Sequence, residues 1–235
     1  MPKSPRTQEE VEVVKEQILD TALQLIIEDG FNNLSMRKIA ARLDITATTI
    51  YNYYTGKNEL NLMIYIRGFE ILYGMMREKR DDCDDPARRV EGMIRAYVDF
   101  ALAFPDYYDI MFNMHTPKYS DYIGTDMEPL AFREKQIALK CFEIILVEIR
   151  EMTGTVATEV EEFFHYTTLR FWSDLHGIIS LYNSRVLYEV DEGSDRILAR
   201  RVDDLVLSLL QLKEANESGN LDPTYHPIHP AGGSE

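Results

Sequence analysis

Hydroxyl, aromatic and basic side chains are concentrated in one short stretch, residues 35–57, which has the sequence SMRKIAARLDITATTIYNYYTGK. Such side chains donate hydrogen bonds to phosphate oxygens and to base edges, and the methyl group of Thr can also contact a thymine methyl. Ser35 and Thr46 are each suited to cap a helix, because a hydroxyl can accept a bond from a free backbone N–H. The stretch therefore predicts two short helices joined by a tight turn, a helix-turn-helix that fits the DNA major groove.

The spacing within this stretch separates an apolar face from a basic face. Ile39, Ala40 and Leu43 recur at helical intervals and predict the buried side of the first short helix. Asp44 then interrupts the pattern, and Ile45 is the apolar residue that such a turn directs inward. The basic side chains around the motif are Arg37, Lys38, Arg42 and Lys57.

The formal net charge of −15 over 235 residues opposes contact with DNA phosphates. The acidity lies mainly outside the motif, because residues 1–60 carry seven Lys or Arg against nine Asp or Glu. The sequence therefore predicts a small basic patch on an acidic body.

The composition, 45% apolar and 28% charged, is that of an ordinary soluble protein. No apolar run approaches the roughly 20 residues that span a bilayer, and the N-terminus lacks the apolar core of a signal peptide. The two cysteines, Cys83 and Cys141, have no metal-ligand spacing. We therefore expect a cytoplasmic location, reduced thiols and no cofactor.

Apolar residues at steps of three and four predict an all-α chain of about nine helices. The first helix runs from Gln8 to about residue 28, the helix-turn-helix supplies the next two, and the fourth covers 57–80. The later helices are predicted over residues 86–103, 105–113, 127–152, 156–188 and 194–214.

The segment DITATTIYNYYTGKNEL resembles the signature of the tetracycline-repressor (TetR) family, in which a short recognition helix ends in aromatic residues and a Lys opens the fourth helix. The matching positions are Tyr51, Asn52, Tyr53, Tyr54, Lys57 and Leu60. The resemblance extends over residues 10–62. Asp44 departs from the Gly that is usual in the family, and we expect a lightly strained turn because Asp tolerates a left-handed backbone.

This resemblance implies roles for individual residues. The residues at positions that approach base edges are Thr46, Ala47, Thr48 and Tyr51. The residues at positions that contact phosphates are Arg37, Thr49, Asn52, Tyr53 and Lys57.

Family members pair through their last two helices, so the resemblance also implies a homodimer. A two-fold axis would place two recognition helices about 34–36 Å apart and favour a palindromic operator. The apolar residues expected to supply the self-association surface of the final helix are Leu198, Val202, Leu205, Val206, Leu209, Leu210 and Leu212.

Residues 172–177 form a W-x-x-x-H-G pattern that resembles the C-terminal ligand domain called WHG in part of this family. A stripe along the same predicted helix is formed by His165, Leu169, Trp172, His176 and Ile179. The stripe either packs in the core or lines a ligand cavity.

Residues 100–119 add Met and aromatic side chains, which are adaptable pocket linings, although core packing is again the alternative. The candidate pocket residues are Phe100, Phe104, Tyr108, Met111, Met114, His115, Trp172 and His176. We expect a largely apolar or aromatic small-molecule effector. A metal site formed by His115, His165 and His176 is an alternative that sequence spacing does not establish.

The resemblance thus implies a one-component transcriptional regulator, a repressor that a small molecule releases from its operator. Its predicted parts are an arm (1–9), a DNA-binding domain (10–56), a connecting helix (57–80), a ligand-binding and dimerisation domain (81–215) and a tail (216–235). Two alternatives remain open. One is a helical interaction protein with a vestigial DNA-binding head, and the other is an all-helical metal-carboxylate enzyme, whose ExxH pattern occurs once, at residues 162–165.

Overall fold

The structure, a computed structural model, describes residues 7–154 and 161–218. These residues form helices and no strand, so the all-α prediction is confirmed. The first five helices are α1 (Gln8–Asp29), α2 (Met36–Arg42), α3 (Ala47–Tyr51), α4 (Lys57–Asp81) and α5 (Pro86–Ala103). The others are α6 (Pro105–Tyr108), α7 (Tyr119–Tyr122), α8 (Glu128–Thr153), α9 (Glu161–Asn183), α10 (Val186–Val190) and α11 (Ser194–Glu217).

Several predicted helices have different bounds in the structure. The predicted helix over 105–113 is α6 followed by a π-helical turn, Asp109–Asn113. The predicted helix over 156–188 ends at Asn183, because Arg185 has a left-handed backbone with φ 62°, and α10 follows. With α7 and α10 the described part has eleven α-helices rather than about nine, since helices of four or five residues are too short to reveal a period.

The chain divides into two compact units, each made of two segments. Among the described residues, unit 1 contains residues 7–75 and 99–141, and unit 2 contains residues 76–98 together with 142–154 and 161–218. Helices α4, α5 and α8 contribute residues to both units. The predicted division at residues 56, 80 and 215 is a functional one and stays a prediction. Most of the predicted arm and tail lies outside the described residues.

The N-terminal part of unit 1 has a small core that is formed largely by α1. Thr7 and Glu10 cap the start of α1 reciprocally, and Gly30, with φ 81°, ends it. The side chains that α1 buries are Ile18, Leu19, Ala22, Leu23, Leu25 and Ile26. Residues that follow α1 and are buried in this part of the chain are Phe31, Leu34, Met36, Ile39, Ala40 and Ile50. Burial of these side chains stabilises α2 and α3, which are too short to be stable alone.

Helix α4 packs very closely against the π-helical turn in unit 1. Gly68 is the point of closest approach: a Cβ there would overlap the Met111 sulfur and lie 3.0 Å from Tyr107 Cδ1. One turn earlier, the Tyr65 hydroxyl donates a hydrogen bond of 2.6 Å to the Ile110 carbonyl. Helix α4 and this turn are therefore joined by both packing and a buried hydrogen bond.

We expect Gly68→Ala to destabilise the protein by about 1–3 kcal/mol, because its methyl group would displace Met111 in a packed interior. Gly74→Ala on the same helix is the matched control, since nothing lies within 4 Å of the position that its methyl group would take. That change should stabilise the helix by about 0.5–1 kcal/mol. Urea unfolding followed by circular dichroism measures both changes, and a Gly68→Ala protein as stable as the Gly74→Ala protein would contradict the close approach.

A buried carboxylate joins three helices in unit 2. Glu148 of α8 is 0% exposed and accepts one hydrogen bond from Arg80 Nε of α4 and one from Arg89 Nε of α5, each of 2.6 Å. Arg89 also pairs with Glu151, whose side chain is more than half exposed, at 2.8 Å. Because a buried charge is tolerated only when it is paired, Glu148 requires both guanidinium groups to stay where they are.

Glu148→Gln should therefore destabilise the protein by about 3 kcal/mol, because the amide cannot neutralise two guanidinium groups in a buried position. Glu151→Gln removes the same charge three residues later, from a side chain that is 54% exposed, and should cost less than about 1 kcal/mol. Urea unfolding at one fixed protein concentration compares the two variants. Equal losses would mean that burial of Glu148 adds nothing to its ion pairs.

Candidate nucleic-acid interface

The predicted helix-turn-helix forms, with both predicted caps in place. Ser35 Oγ accepts a hydrogen bond of 3.3 Å from the Lys38 backbone N–H. Thr46 Oγ1 accepts one of 3.1 Å from the Thr49 backbone N–H. Between α2 and α3, Asp44 has φ 52°, the left-handed conformation that Asp tolerates better than most residues.

Helix α3 is held by its apolar side, so its polar side faces solvent. Ile50 is 0% exposed and Tyr54 4%, and the Tyr54 hydroxyl donates to the Lys15 carbonyl at 3.4 Å. Ile45, which we expected inside, is half-buried. The predicted contact residues that are exposed are Arg37, Thr46, Thr48, Tyr51 and Asn52, and those that are half-buried are Ala47, Thr49, Tyr53 and Lys57.

Two of the four basic residues around the motif are already paired. Lys38 Nζ lies 2.7 Å from Asp29 Oδ2, and Arg42 Nη2 lies 2.6 Å from Glu28 Oε2. The hydrogen bond from Arg42 lowers the pKa of the Glu28 carboxyl, and the same bond raises the pKa of Arg42 itself. Acidic side chains at the end of α1 thus already pair with these two cations. The sequence alone could not reveal this pairing.

Arg37 and Lys57 differ from that pair. Arg37 is exposed and makes no ion pair with any described residue. Lys57, the first residue of α4, places Nζ 4.8 Å from the centre of the Phe31 ring and likewise has no acidic partner in the described part. These two cations are the ones available to an external anion beside α3.

Six of the eight candidate pocket residues lie in unit 1. Phe100, Tyr108 and Met111 are buried, Met114 is half-buried, and Phe104 and His115 are exposed. Phe100 and Phe104 have ring centres 5.7 Å apart. Phe104 also lines an open hollow with a volume of ≈ 210 Å³, together with Asp20, Leu23, Gln24, Ala103, Pro105, Asp106 and Tyr107. This volume is below the usual range of about 300–1,000 Å³ for a small-molecule pocket.

The other two candidates, Trp172 and His176, lie on α9 in unit 2. Trp172 is 38% exposed and donates from Nε1 to the Tyr97 hydroxyl at 3.0 Å. The ring centres of Trp172 and His176 are 6.2 Å apart, and burial lowers the pKa of His176. The bond to Tyr97, a partner that the sequence did not indicate, favours packing for this pair, and their role as pocket residues stays a prediction.

The buried face of α9 lies beside the predicted stripe rather than along it. Its buried residues are Phe164, Thr167, Thr168, Phe171, Leu175 and Ile179. His165 is exposed, with its ring centre 5.1 Å from that of Phe142. Because α9 is apolar on more than one face, two stripes with the same spacing are possible, and packing against neighbouring helices such as α11 selects one of them.

A buried polar cluster in unit 1 was missed by the sequence analysis. Asn61 of α4 is 0% exposed, and four residues later Tyr65 is 3% exposed. The Tyr65 hydroxyl accepts a hydrogen bond of 2.6 Å from Lys118 Nζ and contacts the Thr116 hydroxyl. Glu134 of α8 belongs to the same region, and burial raises its pKa to about 7 against the opposing effect of Lys118. The sequence feature that could have indicated this cluster is Asn61, which lies within the otherwise apolar run at residues 60–66.

The described residues include no group of three or more His, Cys, Asp or Glu side chains that could hold a metal ion. No described helix is long and apolar enough to cross a membrane. The expectation that the protein uses no cofactor stays a prediction.

The capped α2–α3 pair and the solvent-facing polar side of α3 define a helix-turn-helix protein. Family models agree: "Bacterial regulatory proteins, tetR family" matches residues 18–62, and "Tetracyclin repressor-like, C-terminal domain" matches residues 90–205. The chain belongs to the TetR family of transcriptional regulators. This assignment does not favour the interaction-protein or metal-carboxylate alternatives.

Relatives and solved structures are consistent with this family. The uncharacterised HTH-type regulator YobS of Bacillus subtilis (strain 168) is 24% identical over 106 residues, 45% of this chain and 53% of that protein, so this chain spans about half its length. The uncharacterised HTH-type regulator Rv0681 of Mycobacterium tuberculosis is 23% identical over 181 residues, 75% of this chain and 73% of that protein. The fatty acid degradation regulator FadR of Bacillus halodurans has a similar fold, with a TM-score of 0.62, 13% identity, and coverage of 86% of this chain and 97% of that one.

Proposed function

We propose that this protein is a one-component repressor that binds a palindromic operator as a homodimer and is released by a small-molecule effector in its C-terminal domain. The observation that carries the proposal is the exposure of α3: Tyr51 is 56% exposed on a helix that Ile50 attaches to the core. A large aromatic side chain has no packing role at such a position. As a regulator of the bacterial chromosome, the protein would act in the cytoplasm.

The proposed base contacts differ in whether the hydroxyl group of each residue already makes a hydrogen bond within the protein. Thr46 Oγ1 caps α3 and lies 2.9 Å from Thr49 Oγ1, so Thr46 would offer its methyl group to a base. Thr48 and Tyr51 are exposed and would supply the hydrogen bonds and the apolar contact to thymine. Ala47 would allow the close approach of the groove. Arg37, Thr49, Asn52, Tyr53 and Lys57 would contact phosphates.

The dimer would use a surface other than the one we expected. Five of the seven apolar residues predicted to supply it are buried within the chain: Leu198, Val202, Leu205, Val206 and Leu209. Exposed apolar side chains on α9 and α11 instead include Tyr166, Leu181 and Leu207, which are 39%, 45% and 56% exposed. We infer that these residues contribute to the contact between protomers.

Helix α4 would carry the effector signal. Its first residue is Lys57, a proposed phosphate contact, and Tyr65 bonds it to the π-helical turn, which contains the candidate Met111 and directly follows the candidate Tyr108. A ligand that moved this turn would therefore move α4. Release also requires that the ligand bind the two arrangements with different affinity, since binding alone shifts no equilibrium.

Selection of DNA sites from a randomised duplex pool with the full chain tests this function. We expect enriched sites with two-fold symmetry and half-sites whose centres are about 10 base pairs apart, one helical turn. Tyr51→Ala should lose the enrichment, because it removes a proposed base contact from an exposed position. Unselective binding by the wild-type chain, or an unchanged site after Tyr51→Ala, would contradict readout by α3.

The pairing of basic residues predicts how salt affects DNA binding. With Arg37 and Lys57 from each protomer, the slope of log Kobs against log salt concentration should be about −4 for a dimer. Arg37→Ala should reduce its magnitude by about 2, because two phosphate contacts are lost. Arg42→Ala, which removes the same charge from a cation bonded to Glu28, should leave it nearly unchanged. Fluorescence anisotropy at several salt concentrations measures the slopes, and equal effects of the two changes would contradict the assignment.

A further inference from the structure

Asn61 and Tyr122 carry buried polar groups without partners. The amide nitrogen and oxygen of Asn61 and the hydroxyl of Tyr122 have no hydrogen-bond partner among the described residues. Asn61 is 0% exposed on α4, and Tyr122 is 3% exposed on α7. Buried polar groups in folded proteins are nearly always paired, so three unpaired groups on neighbouring elements need a reason.

The two side chains lie beside each other but do not satisfy one another. Burial raises the pKa of Tyr122, and a weak side-chain hydrogen bond with Asn61, outside ordinary hydrogen-bond geometry, lowers it in part. A single bond between them would in any case leave most of the hydrogen-bonding capacity of an amide unused, because an Asn side chain offers two donors and one acceptor with two lone pairs.

Tyr65, one turn along α4, has the opposite character. Its hydroxyl contacts the Ile110 carbonyl, the Thr116 hydroxyl and Lys118 Nζ, so its capacity is used within the protein. The polar cluster therefore has one part that the fold satisfies and one part that it does not. Unpaired groups cost stability, and proteins retain such costs mainly where they serve a function.

The surroundings of the unpaired groups are apolar. Tyr122 packs with Leu62 and Ala131, and partly buried side chains against this cluster are Tyr119, Met127 and Leu130. A ligand group that enters here would place its polar atoms on Asn61 and Tyr122 and an apolar remainder against these side chains. Such a ligand, with a polar group at one end, differs from a purely apolar effector.

We propose that Asn61 and Tyr122 bind a neutral ligand group that carries a hydrogen-bond donor and an acceptor side by side, namely a carboxamide or a lactam. The Asn61 amide is complementary to such a group, because it can donate to the carbonyl and accept from the N–H at the same time. An ester or a carboxylate lacks the donor and would leave the Asn61 oxygen unpaired. As the polar end of the effector site, this assignment rests on the proposed function, but binding itself does not require DNA.

Three probes of similar size test the assignment: hexanamide, methyl pentanoate and hexanoate. Each is titrated into the full chain without DNA and followed by isothermal titration calorimetry and ligand-observed NMR. We expect saturable binding of hexanamide and at least about tenfold weaker binding of the ester and the carboxylate, because each of these leaves a buried polar group unpaired. Absence of saturable hexanamide binding, or equal binding of all three probes, would overturn the proposal.

Variants locate the site. Asn61→Leu and Tyr122→Phe should each weaken hexanamide binding at least about tenfold. Tyr107→Phe is the matched control, because it also removes a buried hydroxyl without a partner in unit 1 but outside this cluster, and it should leave binding unchanged. Unchanged binding in Asn61→Leu and Tyr122→Phe, or equal losses in all three variants, would overturn the assignment.

Thermal unfolding without ligand provides a second readout. Asn61→Leu should raise Tm, because an unpaired buried amide is replaced by an apolar side chain of similar size. A lower Tm would mean that Asn61 is already hydrogen-bonded in solution, and would overturn the proposal. If hexanamide binds at Asn61 and Tyr122 but does not change operator affinity, effector release fails while the ligand assignment stands.

Discussion

The ion pairs of Glu148 are the constraint on which the position of α4 depends. Its buried carboxylate joins Arg80, near the end of α4, to Arg89 of α5, and a buried charge of this kind keeps its geometry because each lost partner is costly. In unit 1, the same helix is joined to the π-helical turn through Tyr65 and Gly68. Helix α4 is thus restrained along its length, and it begins at Lys57, next to the helix-turn-helix.

The DNA-binding head has few basic side chains that lack an acidic partner in the described structure. Two of its four basic residues are bonded to Asp29 and Glu28 at the end of α1, and their role in the described structure is to position α2 against α1. Among the basic residues of the motif, Arg37 and Lys57 are the two without an acidic partner in the described part of the chain, and we propose that they contact phosphates. With a net charge of −15 over the chain, a single head would bind DNA weakly. In the proposed dimer, two heads on one operator would compensate for this, and the acidic remainder would disfavour other surfaces as DNA contacts.

Some buried polar groups of this protein are fully paired and stabilise it, whereas others are unpaired and destabilise it. Glu148 and Tyr65 have all the partners they need, and they join helices. Asn61 and Tyr122 lack partners among the described residues and therefore weaken unit 1, the unit that also contains Tyr65. Because the satisfied Tyr65 and the unsatisfied Asn61 both lie on α4, a ligand that pairs with Asn61 would change the energy of that helix.

Short-range chemistry in the sequence determined the all-α fold, the two helix caps at Ser35 and Thr46, and the left-handed turn at Asp44. These features depend on residues within one or two turns of each other, so periodicity and capping rules predict them. Tertiary contacts alone decided which cations are paired, which face of α9 is buried, and that the apolar residues of α11 lie inside the chain. They also left Asn61 without a partner among the described residues. In each case the deciding neighbour is distant in sequence, and packing selects among faces that local spacing leaves equivalent.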